Sequence, residues 1–238
     1  MRNRTKKPEI LYMDDTIVVC VKPQGMPVQN DKSRDLSVLN YLKNEIAKKE
    51  KNGEPELHVV HRLDRPVGGV MVFARTAEAA GRLSRQMQDG TFEKYYQAVL
   101  SGHLNEEFGE VTNYLLRDGK TNTSKVVKKG TKGAKEAILE YEVLDMVETG
   151  QGKLSFVLIY LVTGRHHQIR VQMANLGCGI WGDTKYNKQF QKAKKKYHQI
   201  GLFSTRISFV HPETGEEMVF KTEPEGEAFD MVLDAMEF

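Results

Sequence analysis

The 238-residue sequence predicts an α+β fold with a mixed, largely antiparallel central sheet flanked by helices. Three observations carry that expectation: strand-like runs outnumber helical ones, few alternate as regular strand–helix–strand units, and hairpin turn signals recur between them. With 39% hydrophobic and 28% charged residues, the composition is that of a folded chain long enough to bury a core and shape a cleft.

The elements follow in order. ILYMDDTIVVCVKPQGMPV, from Ile10, reads as a short strand, an Asp14-Asp15 turn, a β-branched strand at Ile17 to Val21 and a Pro/Gly break, which together make a hairpin. Leu39, Leu42 and Ile46 recur at helical spacing between Leu36 and Lys49. Leu57 to Val60 and Val70 to Ala74 read as strands, which leaves HRLDRPVGG as the loop between them. Thr76 can cap a helix with Ala80, Leu83 and Met87 on one face, stopped by Gly90. TFEKYYQAVL, closing at Ser101-Gly102, is a strand, and further strands follow at Glu110 to Leu116, Ser124 to Lys129, Ala137 to Val147 and Leu154 to Val162. The last of these is apolar on both alternating faces, as a strand covered on each side should be. Ile169, Met173 and Leu176 then share a helical face ended by Gly177, so Thr163 to Arg165 should form that helix's entrance. Strands around Leu202 to Val210 and Glu217 to Lys221 meet at HPETG, and a final helix holds Phe229, Val232, Leu233 and Met236.

A net charge of +3 does not by itself announce a nucleic-acid partner, but the lysines are bunched in loops at Lys120 to Lys135 and Lys185 to Lys196. Those loops either keep the protein soluble or form a rim that contacts phosphates. Cys20 and Cys178 lie far apart in apolar surroundings, the pattern of reduced core thiols. The N-terminus has the charges of a signal peptide without its apolar stretch, and no run approaches the length of a membrane span, so a cytoplasmic protein is expected.

Asp64 stands between Arg62 and Arg65, immediately after an apolar-flanked run. Two inward guanidinium groups would keep it ionised as a nucleophile or base; the alternative is a structural salt bridge at a loop. Arg165, at a helix entrance, suits an anion or is a surface residue. Tyr95 and Tyr96 must point to opposite faces of their strand, so one can enter the core while the other faces a cleft, unless both are simply packed. His58, His61 and the His166-His167 pair could in principle hold zinc, but adjacent histidines rarely ligate together and no cysteine pair supports them, so no metal is expected. Walker, GxGxxG and GxSxG patterns are absent, and a cofactor is not implied.

In this order, KPQGMPV at Lys22 to Val28, HRLDR at His61 to Arg65, KYYQAVLSG at Lys94 to Gly102 and TGRHHQIRVQMANLGCGIWGDTKY at Thr163 to Tyr186 resemble the RluA-type pseudouridine synthases, over about Ile10 to Val210. The resemblance implies a pseudouridine synthase-like fold with an active-site cleft, and an isomerase that cuts uracil from C1′ at N1, rotates it and rejoins it through C5. It implies Asp64 as the catalytic carboxylate, attacking C1′ or removing a sugar proton. Tyr96 would stack on the uracil and help take the C5 proton, while Arg165 would pair with Asp64. Arg62 would fill the gap left by the flipped uridine, Ile169 would pack against the site, and His61 and Arg65 would flank the substrate. RNA, ribosomal or transfer, is the expected partner, with no membrane, no obligate protein partner and a monomeric state.

The sequence also departs from the family pattern. Pro66-Val67-Gly68-Gly69 stands where a Thr-Ser-Gly type run is common, which removes two hydroxyls, and His166 stands where threonine is usual. Residues 1–9 are expected to be a flexible start and 10–238 a single catalytic domain, with no N-terminal S4-type domain, so that RNA is held by the domain's own basic rim. The readings weighed against this are an inactive RNA-binding module acting in ribosome assembly and a hydrolase of N-glycosidic bonds that would release uracil.

Overall fold

The structure is a computed structural model, which describes residues 6–31, 34–50, 54–193 and 199–236. The chain divides into two compact units, one built from Met1–Glu93 with Ser204–Glu223 and the other from Lys94–Phe203 with Pro224–Phe238.

In the first unit β1 (Glu9–Met13) and β2 (Ile17–Lys22) form the expected hairpin, and its turn is held by Asp14, whose Oδ1 accepts the backbone N–H of Thr16 at 2.8 Å and of Ile17 at 2.7 Å. β2 pairs antiparallel with β4 (Gly68–Ala74), placing Lys22 opposite Gly69. β4 also pairs with the two-residue β3 (His58–Val59) and adjoins β10 (Leu202–Val210), which pairs with β11 (Glu217–Lys221).

Successive strand residues face opposite sides, and the core divides accordingly. Ile17, Val19, Val70, Val72 and Ala74 pack with Ala79 and Leu83 of α2 (Ala77–Asp89), whereas Val18, Cys20, Met71 and Phe73 pack with Val38, Leu42 and Ile46 of α1 (Val38–Glu50). A helix on each face explains why every residue of GGVMVFA is buried. The Thr76 cap and the Gly90 stop are both present, Thr76 Oγ1 accepting the N–H of Ala79 at 3.1 Å and Gly90 adopting φ 84°. α1 is capped by Ser37, whose Oγ accepts the N–H of Asn40 at 3.2 Å.

The second unit holds an antiparallel sheet in the order β5 (Glu93–Ser101), β9 (Gly152–Tyr160), β8 (Lys135–Thr149), β6 (Phe108–Asp118), β7 (Thr123–Val127). β9, apolar on both alternating faces, runs between β5 and β8, and its residues Leu154 to Val157 are buried in succession, as covered faces require. α3 (Gln168–Asn175) packs on β6 and β7 and α4 (Glu227–Met236) on β8, and Phe229 of α4 meets Phe156 of β9 edge-on at 6.3 Å. Cys20 and Cys178 are free and buried, one in each unit, and burial pushes the Cys20 thiol up to about 12. Among the described residues no helix is long and apolar enough to cross a membrane.

Candidate active site

Asp64 sits on the loop between β3 and β4, as expected. The loop is held from within by apolar anchors: Leu63 and Val67 are buried while Arg62 and Arg65 are exposed and Asp64 is half-buried. A turn closes behind the carboxylate, the Val67 N–H donating to the carbonyl of Asp64 at 3.0 Å. Val67 therefore replaces a polar residue of the family pattern with a packed one. The exit from the loop admits only glycine. Gly69 has φ +120°, and a Cβ added there would stand 2.1 Å from the carbonyl oxygen of Ser204.

The charges around Asp64 differ from the simplest reading of the sequence. Arg65 does not serve as its flanking cation. Its guanidinium pairs with Asp31 at 3.3 Å and with Asp35, and its Nε donates to the Gly25 carbonyl at 3.0 Å while the Gly25 N–H donates to the Arg65 carbonyl at 2.8 Å. This reciprocal tie fastens the Asp64 loop to Gly25 of KPQG, and the ion pairs fasten it to the segment beyond. Arg62 makes no hydrogen bond or ion pair among the described residues. His61 accepts the N–H of Val72 on Nε2 at 3.1 Å, with its ring 5.6 Å from that of Phe92, so this nitrogen is occupied inside the protein.

Among the described residues of this unit, Lys22 is a buried cation that feels the charge of Asp64, a place that the motifs did not point to. It is fully buried, and its Nζ donates to the carbonyls of Pro23 at 3.0 Å and Arg65 at 3.1 Å. Burial lowers its pKa to about 7, with the charge of Asp64 pulling in the other direction. The signal in the sequence was a lysine ending an otherwise apolar strand, in register with the glycine that ends the loop.

In the second unit Tyr96 is buried on β5, and Lys94, two residues before it and on the same face, is also buried, which holds its ammonium below the ordinary lysine range. Tyr95 points to the other face, its ring 5.1 Å from that of Tyr160. Ile169 is buried on α3.

The helix entrance falls three residues later than expected: α3 begins at Gln168, after a left-handed His167 at φ 55° with no side-chain cap. Gln168 explains the shift. Its Oε1 accepts from Thr163 Oγ1 at 2.8 Å and from the Arg165 N–H at 2.9 Å, so the side chain of the first helical residue satisfies the preceding turn. Arg165 is exposed, and its Nε donates to the carbonyl of Glu136 at 2.7 Å. His166 and His167 stack with ring centroids 3.7 Å apart. His166 bonds Ser124 Oγ through Nδ1 at 2.9 Å and Asn122 Oδ1 through Nε2 at 3.1 Å, and His167 Nδ1 lies 2.7 Å from the Tyr186 hydroxyl. Beneath them Arg170 grips Asp183 through two bonds of 2.7 and 2.8 Å, with both side chains buried.

The lysines of the first basic loop, Lys120, Lys125, Lys128, Lys129, Lys132 and Lys135, are all exposed. A hollow of about 520 Å³ lies on the β6–β7 hairpin, lined by Leu116, Arg117, Asp118, Gly119, Lys120 and Lys125. In the second basic loop Lys185, Lys188 and Lys192 are exposed, and Lys194 to Lys196 lie outside the described residues.

Comparison with known proteins agrees with these motifs. The family model described as RNA pseudouridylate synthase matches residues 16–175. The tRNA pseudouridine synthase C of Vibrio parahaemolyticus is 34% identical over 90% of this chain and 89% of its own length. The dual-specificity RNA pseudouridine synthase RluA of Yersinia pestis is 32% identical over 91% of this chain and 98% of its own. Among solved structures, human RNA pseudouridylate synthase domain containing 4 shares the fold, with a TM-score of 0.74 at 24% identity over 96% of this chain and 93% of that one. On the family match and relatives above 30% identity along nine-tenths of its length, the chain belongs to the RluA-type RNA pseudouridine synthases, isomerases that convert uridine in RNA to pseudouridine.

Proposed function

We propose that this enzyme modifies uridine in transfer RNA, with Asp64 as the carboxylate that starts the reaction. The observation that supports the choice of RNA is coverage: the relatives matched over nearly their whole length include the tRNA synthase C of Vibrio parahaemolyticus, at 89%, and the dual-specificity RluA of Yersinia pestis, at 98%, whereas the ribosomal large subunit pseudouridine synthase D of Neisseria meningitidis is matched over 57% of its length.

In this reading Asp64 either attacks C1′ or takes a sugar proton. The N1–C1′ bond breaks, the uracil turns, C5 bonds to C1′ as the Asp64 ester breaks or the sugar proton is returned, and the C5 proton leaves as N1 gains one. Tyr96 stacks on the base and assists that proton's departure, and Arg165 serves the carboxylate as its basic partner. Arg62, exposed and unpaired among the described residues, fills the stack when the uridine is flipped out. Arg65 and His61 act on the substrate edge through the loop they fasten, and Ile169 through the helix that carries it. The lysine-bearing β6–β7 hairpin contacts phosphates, with the hollow beside Arg117 and Lys120 as one contact point. The enzyme works as a cytoplasmic monomer with a single catalytic domain, and no cofactor takes part.

The test is to map pseudouridine in transfer and ribosomal RNA from cells with and without the gene, and from cells carrying Asp64→Asn. A transfer-RNA position should lose its pseudouridine in both the deletion and the substitution. Loss confined to ribosomal RNA would reassign the substrate, and retention in a folded Asp64→Asn enzyme would remove Asp64 from the chemistry.

A further inference from the structure

Lys94 is a buried cation that the proposed reaction leaves without work. It is 7% exposed, and its side chain makes no hydrogen bond or ion pair among the described residues. On β5 it shares a face with Tyr96 and Ala98. Across the ladder that face continues with Ile159, opposite Tyr96, and with Leu161, whose N–H donates to the Lys94 carbonyl at 3.0 Å. All four neighbours are buried, and none carries a charge at neutral pH. An ammonium in such a place is costly until an anion joins it, and a methionine of similar length would fill the space without that cost. The nitrogen is not among the fully covered side-chain atoms that lack a partner, so some of its surface stays open to an incoming group.

The reaction itself makes an anion. In either route from Asp64 the electron pair of the N1–C1′ bond leaves with the base. The carboxylate gives up its charge, by bonding to C1′ or by taking a sugar proton, and the severed uracil carries that charge on N1, O2 and O4. When C5 bonds to C1′ the charge returns to the carboxylate. We propose that Lys94 is the group that meets the charge on the base, donating to a carbonyl oxygen of the severed uracil while the ring lies on Tyr96. The two residues are two positions apart on one strand face, roughly 7 Å, a gap that a lysine stem can span. The role rests on the reading of Tyr96 as the residue that stacks on the base. A neutral uridine makes no such demand, so the interaction strengthens as the bond breaks and speeds cleavage rather than binding.

Two measurements on the full chain test this. Barbiturate is a uracil-like ring that is anionic at neutral pH, with uracil as its neutral counterpart. Barbiturate should bind the wild type more tightly than uracil does, and Lys94→Met should weaken barbiturate by about tenfold or more while moving uracil by less than about twofold. Equal barbiturate affinity in the two proteins overturns the proposal. With transfer RNA from cells lacking the gene, single-turnover conversion by Lys94→Met should be about 100-fold slower at saturating enzyme, with the Kd for RNA within about threefold of wild type. A weaker Kd with an unchanged rate would mean that the ammonium meets a phosphate instead, and overturns the proposal as well. A merely structural lysine would move neither the barbiturate affinity nor the rate per folded molecule. If Lys94→Met does not fold, the wild type decides by carbon-13 NMR: barbiturate, and not uracil, must shift the Lys94 Cε resonance, identified by its absence in Lys94→Arg, and a resonance that stays still overturns the proposal. If the wild type converts no uridine, the functional reading fails, while barbiturate binding still tests Lys94.

Discussion

The Asp64 loop and the Arg165–His167 turn both carry residues that the family motifs single out, yet the two segments are held by different forces. The loop is held by its backbone and by burial: Leu63 and Val67 anchor it, Arg65 and Gly25 exchange main-chain and guanidinium bonds, and Gly69 passes against Ser204 where no side chain fits. The turn is held by side chains, Gln168 binding Thr163 and Arg165, His166 reaching Ser124 and Asn122, and Arg170 locked to Asp183 below. A backbone-held segment should fail all at once when its geometry is violated. A side-chain-held segment should weaken by increments, except at its buried ion pair. Substitutions can break or sharpen that contrast.

The largest effect should come from Gly69→Ala. A methyl group 2.1 Å from the Ser204 carbonyl, at φ +120°, forces backbone apart between two central strands. A loss of at least about 4 kcal/mol is expected, enough to leave little folded enzyme. Urea titration of the soluble fraction checks this, and a variant within about 1 kcal/mol of wild type would show that the loop's exit is not rigid. Next is Asp183→Asn in the other unit, which leaves the Arg170 guanidinium buried without its carboxylate. About 3 kcal/mol should be lost, at the lower end for broken buried pairs because the amide oxygen can still accept one bond. The same denaturation measurement decides, with activity per folded molecule expected to change little.

The third effect is a dependence on pH specific to the loop. The pKa of Lys22 is lowered to about 7 in the folded chain but is ordinary when unfolded. Below pH 7 both states hold the proton and the burial cost is fully present; above it the unfolded chain binds more protons, so folded stability rises with pH. Wild type should therefore gain on Lys22→Met between pH 7 and 9 by on the order of 2 kcal/mol. Cys20, its thiol pushed up to about 12, titrates in the opposite sense only at higher pH and is common to both proteins. A difference that stays flat with pH would mean the amine is not depressed.

The contrast also explains what could be read from the chain beforehand. Continuous apolar, β-branched runs placed β2 and β4, and the helix that covers each face is the reason neither run alternates with polar residues. Thr76 and Gly90 bounded α2 by local chemistry alone. The motifs placed Asp64 on a loop and Tyr96 on the opposite face from Tyr95. What stayed hidden is non-local. Arg65 looked like a partner of its neighbour Asp64, but it is claimed by Asp31 and Asp35, some thirty positions away. Lys22 entered only as the first residue of KPQGMPV, just past the strand read at Ile17 to Val21, and nothing local distinguishes a buried lysine from a wet one. The start of α3 was misplaced by three residues because Thr163 and Arg165 look like an entrance, while the side chain that satisfies them belongs to Gln168.

The smallest effect tests whether the turn weakens by increments. His166→Thr restores the residue usual in the family and removes the bonds to Ser124 and Asn122, because threonine is too short to span either 2.9 or 3.1 Å contact. Asn122 is exposed and can turn to water, while Ser124 is buried and its hydroxyl loses the bond to Nδ1, although its N–H keeps the 2.8 Å bond to the Tyr186 hydroxyl. The cost should be about 1 kcal/mol, the lower end for a buried group that loses one partner, because a hydroxyl can rotate toward another acceptor. The consequence should appear in binding rather than chemistry. Ser124 and Asn122 belong to the β6–β7 hairpin that also presents Lys120 and Lys125, so loosening it should raise the KM for RNA while leaving kcat nearly unchanged. A fall in kcat with KM constant would instead place His166 close to the reacting nucleotide, and the turn would then be part of the chemistry it was expected only to support.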